Sequence, residues 1–231
     1  MADLAYETLE PLRARRPVER VGFMSSRCRG KRVLDIGCLD ETALEKRETE
    51  EWLHRRIGAV AQKVIGIDLS DRLPSEGLVT GPNSRILKGD GTNPDIACEE
   101  VDIIIAGEFI EHIPNPLDFL STMRARYPGR EMLLSTPNGT SFANALLGNI
   151  GREAQHRDHL MTSTYKTLNT LCRRAGCRDW DIIPYRFYAT EMLLQTSGAK
   201  RIAVRAVEAV IRLYERVFPL RSFGYVVRMT L

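Results

Sequence analysis

Short apolar runs alternate with longer polar stretches along most of the chain. Each run is rich in Val, Ile and Leu and ends against Gly, Asp or Pro, and the stretches between the runs suit helices. Strands that are buried on both faces of a parallel sheet have continuous apolar sequences, and helices cover those faces. The pattern therefore predicts an α/β fold with a mostly parallel, seven-stranded sheet. The predicted strands are Arg32–Ile36, Val64–Ile67, Arg85–Leu87, Val101–Ile105, Glu131–Leu134, Asp181–Tyr185 and Phe223–Val227.

The sequence around this core predicts three further segments. Residues 4–28 are helix-compatible, with breaks at Pro11 and Pro17, and we expect an N-terminal helical segment over 1–29 before a domain over 30–231. Residues 138–160 predict a loop with a short helix. Residues 191–217 predict a helical segment, whose apolar side packs on the domain or on a second copy, or lies on a membrane surface. That apolar side consists of Ile202, Ala206, Ala209 and Leu213.

Composition excludes several classes of protein. The net charge of the 231 residues is +3, which is too small to indicate nucleic-acid binding without a localised patch. The basic stretch Arg13–Arg32 fits a solvated face or a site for an anionic partner. Five cysteines without a Cys-x-x-Cys motif favour reduced thiols over a disulfide framework or structural zinc. No apolar run could span a bilayer and no signal-peptide pattern begins the chain, so we expect a cytoplasmic protein without integral membrane association.

Acidic residues follow four of the predicted strands. Gly37 lies among acids after the first strand, in Asp35-Ile-Gly-Cys-Leu-Asp-Glu41, and no G-x-G-x-x-G fingerprint for a dinucleotide is present. Asp68 ends the second strand and could accept hydrogen bonds from ribose hydroxyls, or could cap a helix. Asp90 could accept from an exocyclic amine, or could be an ordinary turn residue. Ligands of open α/β sheets bind beyond the carboxyl ends of the strands, where these side chains and the later Glu108, Glu111 and His112 are expected.

These motifs resemble those of the class I S-adenosylmethionine-dependent methyltransferases, over roughly residues 30 to 185. The similarity is closest to the branch that contains quinone-biosynthesis methyltransferases and those of bacterial glycan or natural-product gene clusters. It implies a Rossmann-like, doubly wound sheet with helices on both faces, a biosynthetic transferase and S-adenosyl-L-methionine as cofactor. The motifs that carry it are Val33–Cys38, Val64–Ser70, Gly89–Gly91, Glu108–Pro116 and Leu133–Asn138.

The resemblance also implies a set of cofactor contacts. Asp35, Gly37, Cys38 and Leu39 would line the methionine end, Asp68 would bind the ribose hydroxyls, and Leu69 would lie beside the adenine. Asp90 and Gly91 would contact the adenine, and Glu108 with Phe109 would close the site near the methionine. The first motif departs from the family, since Leu39 and Glu41 stand where two further glycines are usual. With side chains at these two positions, the loop would either lie further from the cofactor or contact the cofactor through those side chains.

Histidines are the simplest candidates for a general base near pH 7. In order of preference the candidates are His159, His112 and His156, with Glu111 as an alternative if burial raises its pKa. His54 lies in a charged insert and is expected at the surface. His156 and His159 form a His-x-x-His motif that could hold a metal, but spacing places no third ligand, so no metal is predicted.

The acceptor has no signature in the sequence. Residues 138–160 and the C-terminal helix would shape its pocket, and Tyr185, Phe187 and Tyr188 could stack on a ring or simply pack in the core. We expect O-methylation of a small-molecule hydroxyl, on a sugar or natural-product intermediate, although N-methylation needs less base catalysis and stays open, as does a homodimer. Two alternatives are a non-catalytic relative that binds the cofactor as a regulatory subunit and, less favoured, a nicotinamide oxidoreductase.

Overall fold

A single mixed sheet forms the centre of the molecule in the computed structural model, which describes residues 4–39 and 52–231. Its eight strands run in the order β3-β4-β2-β1-β5-β6-β8-β7. The strands are β1 (Arg32–Ile36), β2 (Lys63–Asp68), β3 (Leu78–Gly81), β4 (Ser84–Lys88), β5 (Ile103–Gly107), β6 (Glu131–Pro137), β7 (Arg178–Tyr185) and β8 (Gly224–Thr230).

The central strands are parallel and both edges are antiparallel. Strands β4, β2, β1, β5 and β6 pair in parallel, whereas β8 lies antiparallel between β6 and β7. This is the predicted Rossmann-like arrangement, and each of the seven predicted runs corresponds to a strand. The predicted count of seven is wrong by one, because β3 pairs antiparallel with β4 as an additional edge strand. Its Val79 is 72% exposed, so β3 has no buried apolar run that would have revealed it.

Helices cover both faces of the sheet. The helices are α1 (Arg20–Ser26), α2 (Leu53–Gly58), α3 (Pro116–Arg126), α4 (Phe142–Gly148), α5 (Tyr165–Ala175), α6 (Thr190–Leu194) and α7 (Gly198–Val217). Helices α3 and α5 pack against one face with Leu34, Ile36 and Ile104, while α1 and α2 pack against the other with Val33 and Ile103. Because successive side chains of a strand point to opposite faces, one short apolar run supplies both cores.

The N-terminal segment differs from its prediction. The helical prediction for residues 4–28 is correct only for α1. Glu19 caps this helix, because its side chain accepts hydrogen bonds from the backbone N–H groups of Val21 and Gly22. Val18 instead forms an isolated parallel bridge with Tyr185, the last residue of β7. Prolines at 11 and 17 lack the N–H groups that a continuous helix needs, which accounts for the extended path.

The C-terminal helical segment also differs. The structure divides residues 191–217 between α6 and α7, and of the environments predicted for the apolar side, packing on the domain is wrong. Ile202 is 71% exposed and Leu213 is 66% exposed, whereas Ile211 and Glu215 are buried. The apolar side named from the sequence therefore does not pack on the domain. Among the described residues, no helix is both long and apolar enough to cross a membrane.

Candidate functional site

The loop after β1 meets residues from two other strand ends. Gly37 has a φ of +64°, a left-handed conformation that glycine adopts without strain. A Cβ atom on Gly37 would lie 2.5 Å from Cδ2 of Phe109, and one on Gly91 would lie 3.2 Å from Cζ of the same ring. Phe109 follows β5 and Gly91 follows β4, so three predicted site residues from different strands converge at one point.

Two hydrogen bonds tie the loop after β1 to the end of β2 and to the residue before α2. The N–H of Leu39 donates to Oδ2 of Asp68 at 2.9 Å, and the indole N–H of Trp52 donates to the carbonyl of Cys38 at 2.8 Å. The side chains of Cys38 and Leu39 are buried beside Trp52 and Ile86. Leu39 therefore occupies a small core cluster, which is how the loop accommodates a side chain where glycine is usual. Asp40 and Glu41 lie outside the described residues.

Polar groups line the ends of β2 and β4. Asp68 is half-buried, and its Oδ1 also accepts from the N–H of Ser70 at 2.8 Å. Leu69, beside it, is 62% exposed and presents an apolar side chain. Asp90 is exposed, and its Oδ1 accepts from the backbone N–H and the hydroxyl of Thr92. The Asp68 carboxylate thus holds both the loop after β1 and the turn after β2.

Asp35 lies beneath the loop. Its Oδ2 accepts a hydrogen bond of 2.8 Å from Nδ1 of His54, and Asp35 is 2% and His54 1% exposed. The expectation that His54 lies at the surface is wrong, because α2 places this ring against β1. Burial, with Asp35 nearby, raises the pKa of the Cys38 thiol well above its usual value, so this thiol stays protonated near pH 7.

Glu108 forms a polar network at the end of β5. Its φ is +54°, a left-handed conformation that is uncommon for residues other than glycine. Oε1 accepts from the hydroxyls of Ser135 and Tyr185, each at 3.0 Å. Nη1 of Arg20 donates to Ser135 Oγ at 3.2 Å and lies 3.9 Å from Glu108 Oε1. The carboxylate of Glu108 is thus held by groups from β6, β7 and α1.

Glu111 is 1% exposed, and among the described residues neither oxygen of its carboxyl has a hydrogen-bond partner. Burial, reinforced by the neighbouring Glu108, raises the pKa of Glu111 well above its usual value. The sequence makes Glu111 an alternative general base only if burial raises its pKa. Burial does raise that pKa in the structure. Its proximity to Arg20 partly offsets the effect.

The three histidines named as base candidates lie together. The ring centroids of His112 and His159 are 4.6 Å apart, those of His156 and His159 are 5.5 Å apart, and those of His112 and His156 are 5.8 Å apart. Burial, and next the neighbouring His112, lowers the pKa of His159 to about 4, and burial also lowers the pKa of His112. A backbone hydrogen bond from the N–H of His112 to the carbonyl of Phe109 connects this cluster to the ring that contacts the loop after β1.

Known proteins are similar to this chain in sequence or in architecture. The family model described as a methyltransferase domain matches residues 8–182. A probable S-adenosylmethionine-dependent methyltransferase of Mycolicibacterium smegmatis is 28% identical over 121 residues, which are 52% of this chain and 43% of that protein. The chain belongs to the class I S-adenosylmethionine-dependent methyltransferases. The match spans less than half the length of that curated relative.

Solved structures show the same fold. A SAM-dependent methyltransferase from Archaeoglobus fulgidus is 18% identical with a TM-score of 0.51, covering 91% of this methyltransferase and 94% of that chain. Phosphoethanolamine N-methyltransferase 2 of Haemonchus contortus, in complex with S-adenosyl-L-methionine, is 13% identical with a TM-score of 0.54. That match covers 92% of this chain and 52% of the other. The predicted family, fold, enzyme class and cofactor are confirmed; the predicted branch stays a prediction.

The residues of this methyltransferase fit its cofactor. Gly37 supplies a left-handed turn at the sheet edge, Asp68 places a carboxylate at the end of β2, and Leu69 offers an exposed apolar surface beside it. The buried Asp35 carboxylate is committed to His54, so Asp35 would serve the site through the backbone and through the shape of the loop.

Some residues of this site were missed or misread from the sequence. Arg20 lies in a basic stretch that had no sign of a buried member, and Ser135 is the serine of the Ser-Thr-Pro-Asn motif, whose role is visible only from its contacts. Tyr185 is fully buried and its hydroxyl donates to Glu108, so its ring packs in the core and does not face an acceptor. Phe187 and Tyr188 contact Phe223 at centroid distances of 5.1 and 5.4 Å.

Proposed function

We propose that this methyltransferase transfers the methyl group of S-adenosyl-L-methionine to a hydroxyl of a small molecule, a sugar or natural-product intermediate. The bound cofactor supplies an electrophilic methyl on a sulfonium. The protein aligns the acceptor with that methyl, and alignment alone supplies several kcal/mol of barrier reduction. A hydroxyl acceptor must also lose its proton, whereas a neutral amine needs little base catalysis.

The histidine cluster is the observation that carries this proposal. His112 follows Glu108 and Phe109 by only a few residues, and its backbone is hydrogen-bonded to Phe109. His156 and His159 come from residues 138–160, whose α4 contacts α7 through stacked rings of Phe142 and Tyr214 with centroids 3.8 Å apart. The position of the cluster, between Phe109 and residues 138–160, supports a proton-accepting role on the acceptor side.

We assign the proton-accepting role to the cluster, with His159 first, then His112 and His156. A ring with a pKa near 4 is neutral at pH 7 and can accept a proton, although a general base is most effective when its pKa lies near the working pH. The cofactor contacts that we propose are Asp35, Gly37, Cys38, Leu39, Asp68, Leu69, Asp90, Gly91, Glu108 and Phe109.

The first experiment is a calorimetric titration with S-adenosylhomocysteine, with NADH as the control. Saturable binding of S-adenosylhomocysteine alone is expected. A mass-spectrometric search for methylated products would then compare hydroxyl acceptors with matched amine acceptors. Methylation of amines only would contradict the O-methylation proposal, and binding without turnover on either panel would favour a regulatory cofactor-binding protein.

His159→Ala provides the test of the cluster. Turnover should fall while affinity for S-adenosylhomocysteine stays nearly unchanged, because the histidine is assigned to the acceptor side. An unaltered rate in the folded variant would move the proton acceptor elsewhere.

A further inference from the structure

The long helix α7 has an apolar side that faces away from the domain. Residues that recur every three or four positions lie on one side of an α-helix, and five such residues of α7 are apolar and exposed. They are Ile202, Ala206, Val210, Leu213 and Val217. The four larger side chains are 63–71% exposed, whereas Ile211 and Glu215 on the opposite side are buried. Exposed apolar surfaces of this extent mark sites of interaction with a protein or a membrane.

A row of arginines borders this apolar side. The row consists of Arg201, Arg205, Arg212 and Arg216, whose helical spacing places them between the buried side and the exposed apolar side. Arg212 belongs to the domain, because its Nε donates to the carbonyl of Phe187 at 2.9 Å. The other three arginines are exposed, so positive charge runs along one edge of the apolar side.

No exposed carboxylate of α7 accompanies these arginines. The helix has two acids, of which Glu208 lies 2.7 Å from Nη2 of Arg212 and Glu215 is buried. At the other edge of the apolar side, the ring of Tyr214 stacks on Phe142 of α4 with centroids 3.8 Å apart. Helix α4 contains no charged residue. The surface is therefore apolar at its centre, basic along one edge and uncharged along the other.

The neighbouring α4 extends the apolar surface. Leu146 of α4 is 43% exposed, and Ile150, which follows this helix, is 67% exposed. Because α4 packs on α7 through the Phe142–Tyr214 stack, these side chains lie in the same part of the molecule as the apolar side of α7. The exposed surface therefore includes more than a single helix.

We propose that this side of α7 binds the surface of a bilayer that contains anionic lipids. A helix with one apolar and one basic side lies in the plane of the membrane interface, with its apolar side chains at the boundary between head groups and acyl chains. Arginine side chains reach from such a position to the level of the lipid phosphates. The phosphates supply the negative charge that α7 itself does not expose.

A second copy of this chain fits the surface less well. A contact about a two-fold axis uses the same patch on both copies, so an antiparallel pair of α7 helices would place the two arginine rows side by side. Like charges repel there, and neither helix exposes a carboxylate to compensate. A parallel pair would oppose each row to α4, which has no charged residue. Neither arrangement pairs the arginines, whereas an anionic bilayer accommodates both the apolar side and the basic edge.

Vesicle flotation with the purified protein tests the proposal. The protein should float with vesicles of phosphatidylglycerol and phosphatidylcholine in equal parts, and much less with vesicles of phosphatidylcholine alone. Added NaCl should weaken the association, because salt screens the attraction between arginines and lipid phosphates. Absence of association with the anionic vesicles would overturn the proposal.

Matched variants place the binding surface. Leu213→Gln should weaken vesicle binding about tenfold or more, while Leu9→Gln, the same change at a 92% exposed leucine of the N-terminal segment, should not. Arg205→Gln and Arg216→Gln should each weaken it about fivefold. Arg85→Gln is their control, since the exposed Arg85 lies in β4, far along the sheet from the strands β7 and β8 that α7 connects. Unchanged binding in Leu213→Gln would show that another surface binds the vesicles.

Two further measurements distinguish the occupants and do not depend on the folding of a variant. Anionic vesicles should shield Arg205 and Arg216 of the unmodified protein from phenylglyoxal, but not Arg85, with the modified peptides counted by mass spectrometry. Equal modification of all three arginines with and without vesicles would contradict the proposal. Light scattering should show no dimer that forms through α7. A dimer that Leu213→Gln dissociates, in a protein that does not bind vesicles, would assign the surface to a second copy.

Discussion

The carboxylate of Asp35 and the imidazole of His54 form a buried pair, with Oδ2 of Asp35 2.8 Å from Nδ1 of His54. Asp35 belongs to β1 and His54 to α2, and the opposite ring nitrogen of His54 bonds to Thr80 of β3. The ring of Trp52, which also anchors the carbonyl of Cys38, lies 5.2 Å from that of His54. The pair therefore supports the loop of the cofactor cleft from below.

His54→Ala should destabilise the protein by about 3 kcal/mol or more, because removal of one partner leaves the buried carboxylate of Asp35 without its hydrogen-bond donor. The free energy of unfolding from urea denaturation at pH 7 measures the loss. Thr80→Ala removes a partner from the other side of the ring only and should cost about 1 kcal/mol. If both variants lose the same small amount, the Asp35–His54 bond does not stabilise the fold.

Most of the sheet could be predicted because the signal is local. Seven strands lie in apolar runs, and burial of both faces demands such runs wherever the sheet is covered by helices. The strand β3 is instead an exposed hairpin partner of β4, and the path of residues 4–19 depends on a partner distant in sequence. Val79 is largely exposed and Val18 pairs with Tyr185, so neither leaves a periodic pattern.

The cleft could be predicted in part for a related reason. Gly37, Asp68 and Phe109 follow strands, and the ends of neighbouring parallel strands meet at one edge. His54 and Arg20 approach the cleft from helices, where a charged sequence gives no sign of which member is buried. Likewise, the spacing of His156 and His159 could not predict that His112 lies beside them, because the fold brings these two segments together.

Asp68→Ala should raise the dissociation constant for S-adenosylhomocysteine about 10- to 100-fold. The change removes charge-assisted hydrogen bonds to the ribose and also the acceptor of the Leu39 N–H, which orders the β1 loop. Calorimetry on the folded variant measures the effect. Asp71→Ala is the matched control, since Asp71 is fully exposed and should leave the dissociation constant unchanged. Equal affinity in Asp68→Ala would show that the ribose binds elsewhere.

Gly37→Ala should destabilise the protein and weaken S-adenosylhomocysteine binding. The left-handed φ costs an alanine about 1–2 kcal/mol, and the new methyl group would also collide with the Phe109 ring. Gly30→Ala isolates the first effect, because Gly30 has a φ of +67° and nothing within 4 Å of its missing Cβ. Denaturation of both variants gives the contribution of the collision, which Phe109→Ala should relieve in the double variant. Equal losses at Gly30 and Gly37 would contradict contact between Phe109 and the loop.

Glu215 is a buried carboxyl on the inward side of α7. Its Oε2 accepts from the N–H of Phe187 at 2.8 Å, whereas Oε1 has no partner among the described residues. Burial raises the pKa of Glu215 to about 7 from an ordinary 4.5. Between these values the folded protein binds more protons than the unfolded chain, so the free energy of unfolding must fall as the pH rises.

This carboxyl should therefore lower the free energy of unfolding by about 3 kcal/mol between about pH 4.5 and pH 7, with little further loss above that range. Glu215→Gln keeps an oxygen for the Phe187 N–H but carries no charge, so its stability should lack this part of the decline. Urea denaturation at intervals from pH 5 to pH 8 measures both proteins, with Glu153→Gln as a change of the same chemistry at an exposed position. Parallel curves for the unmodified protein and Glu215→Gln would mean that Glu215 does not titrate in this range.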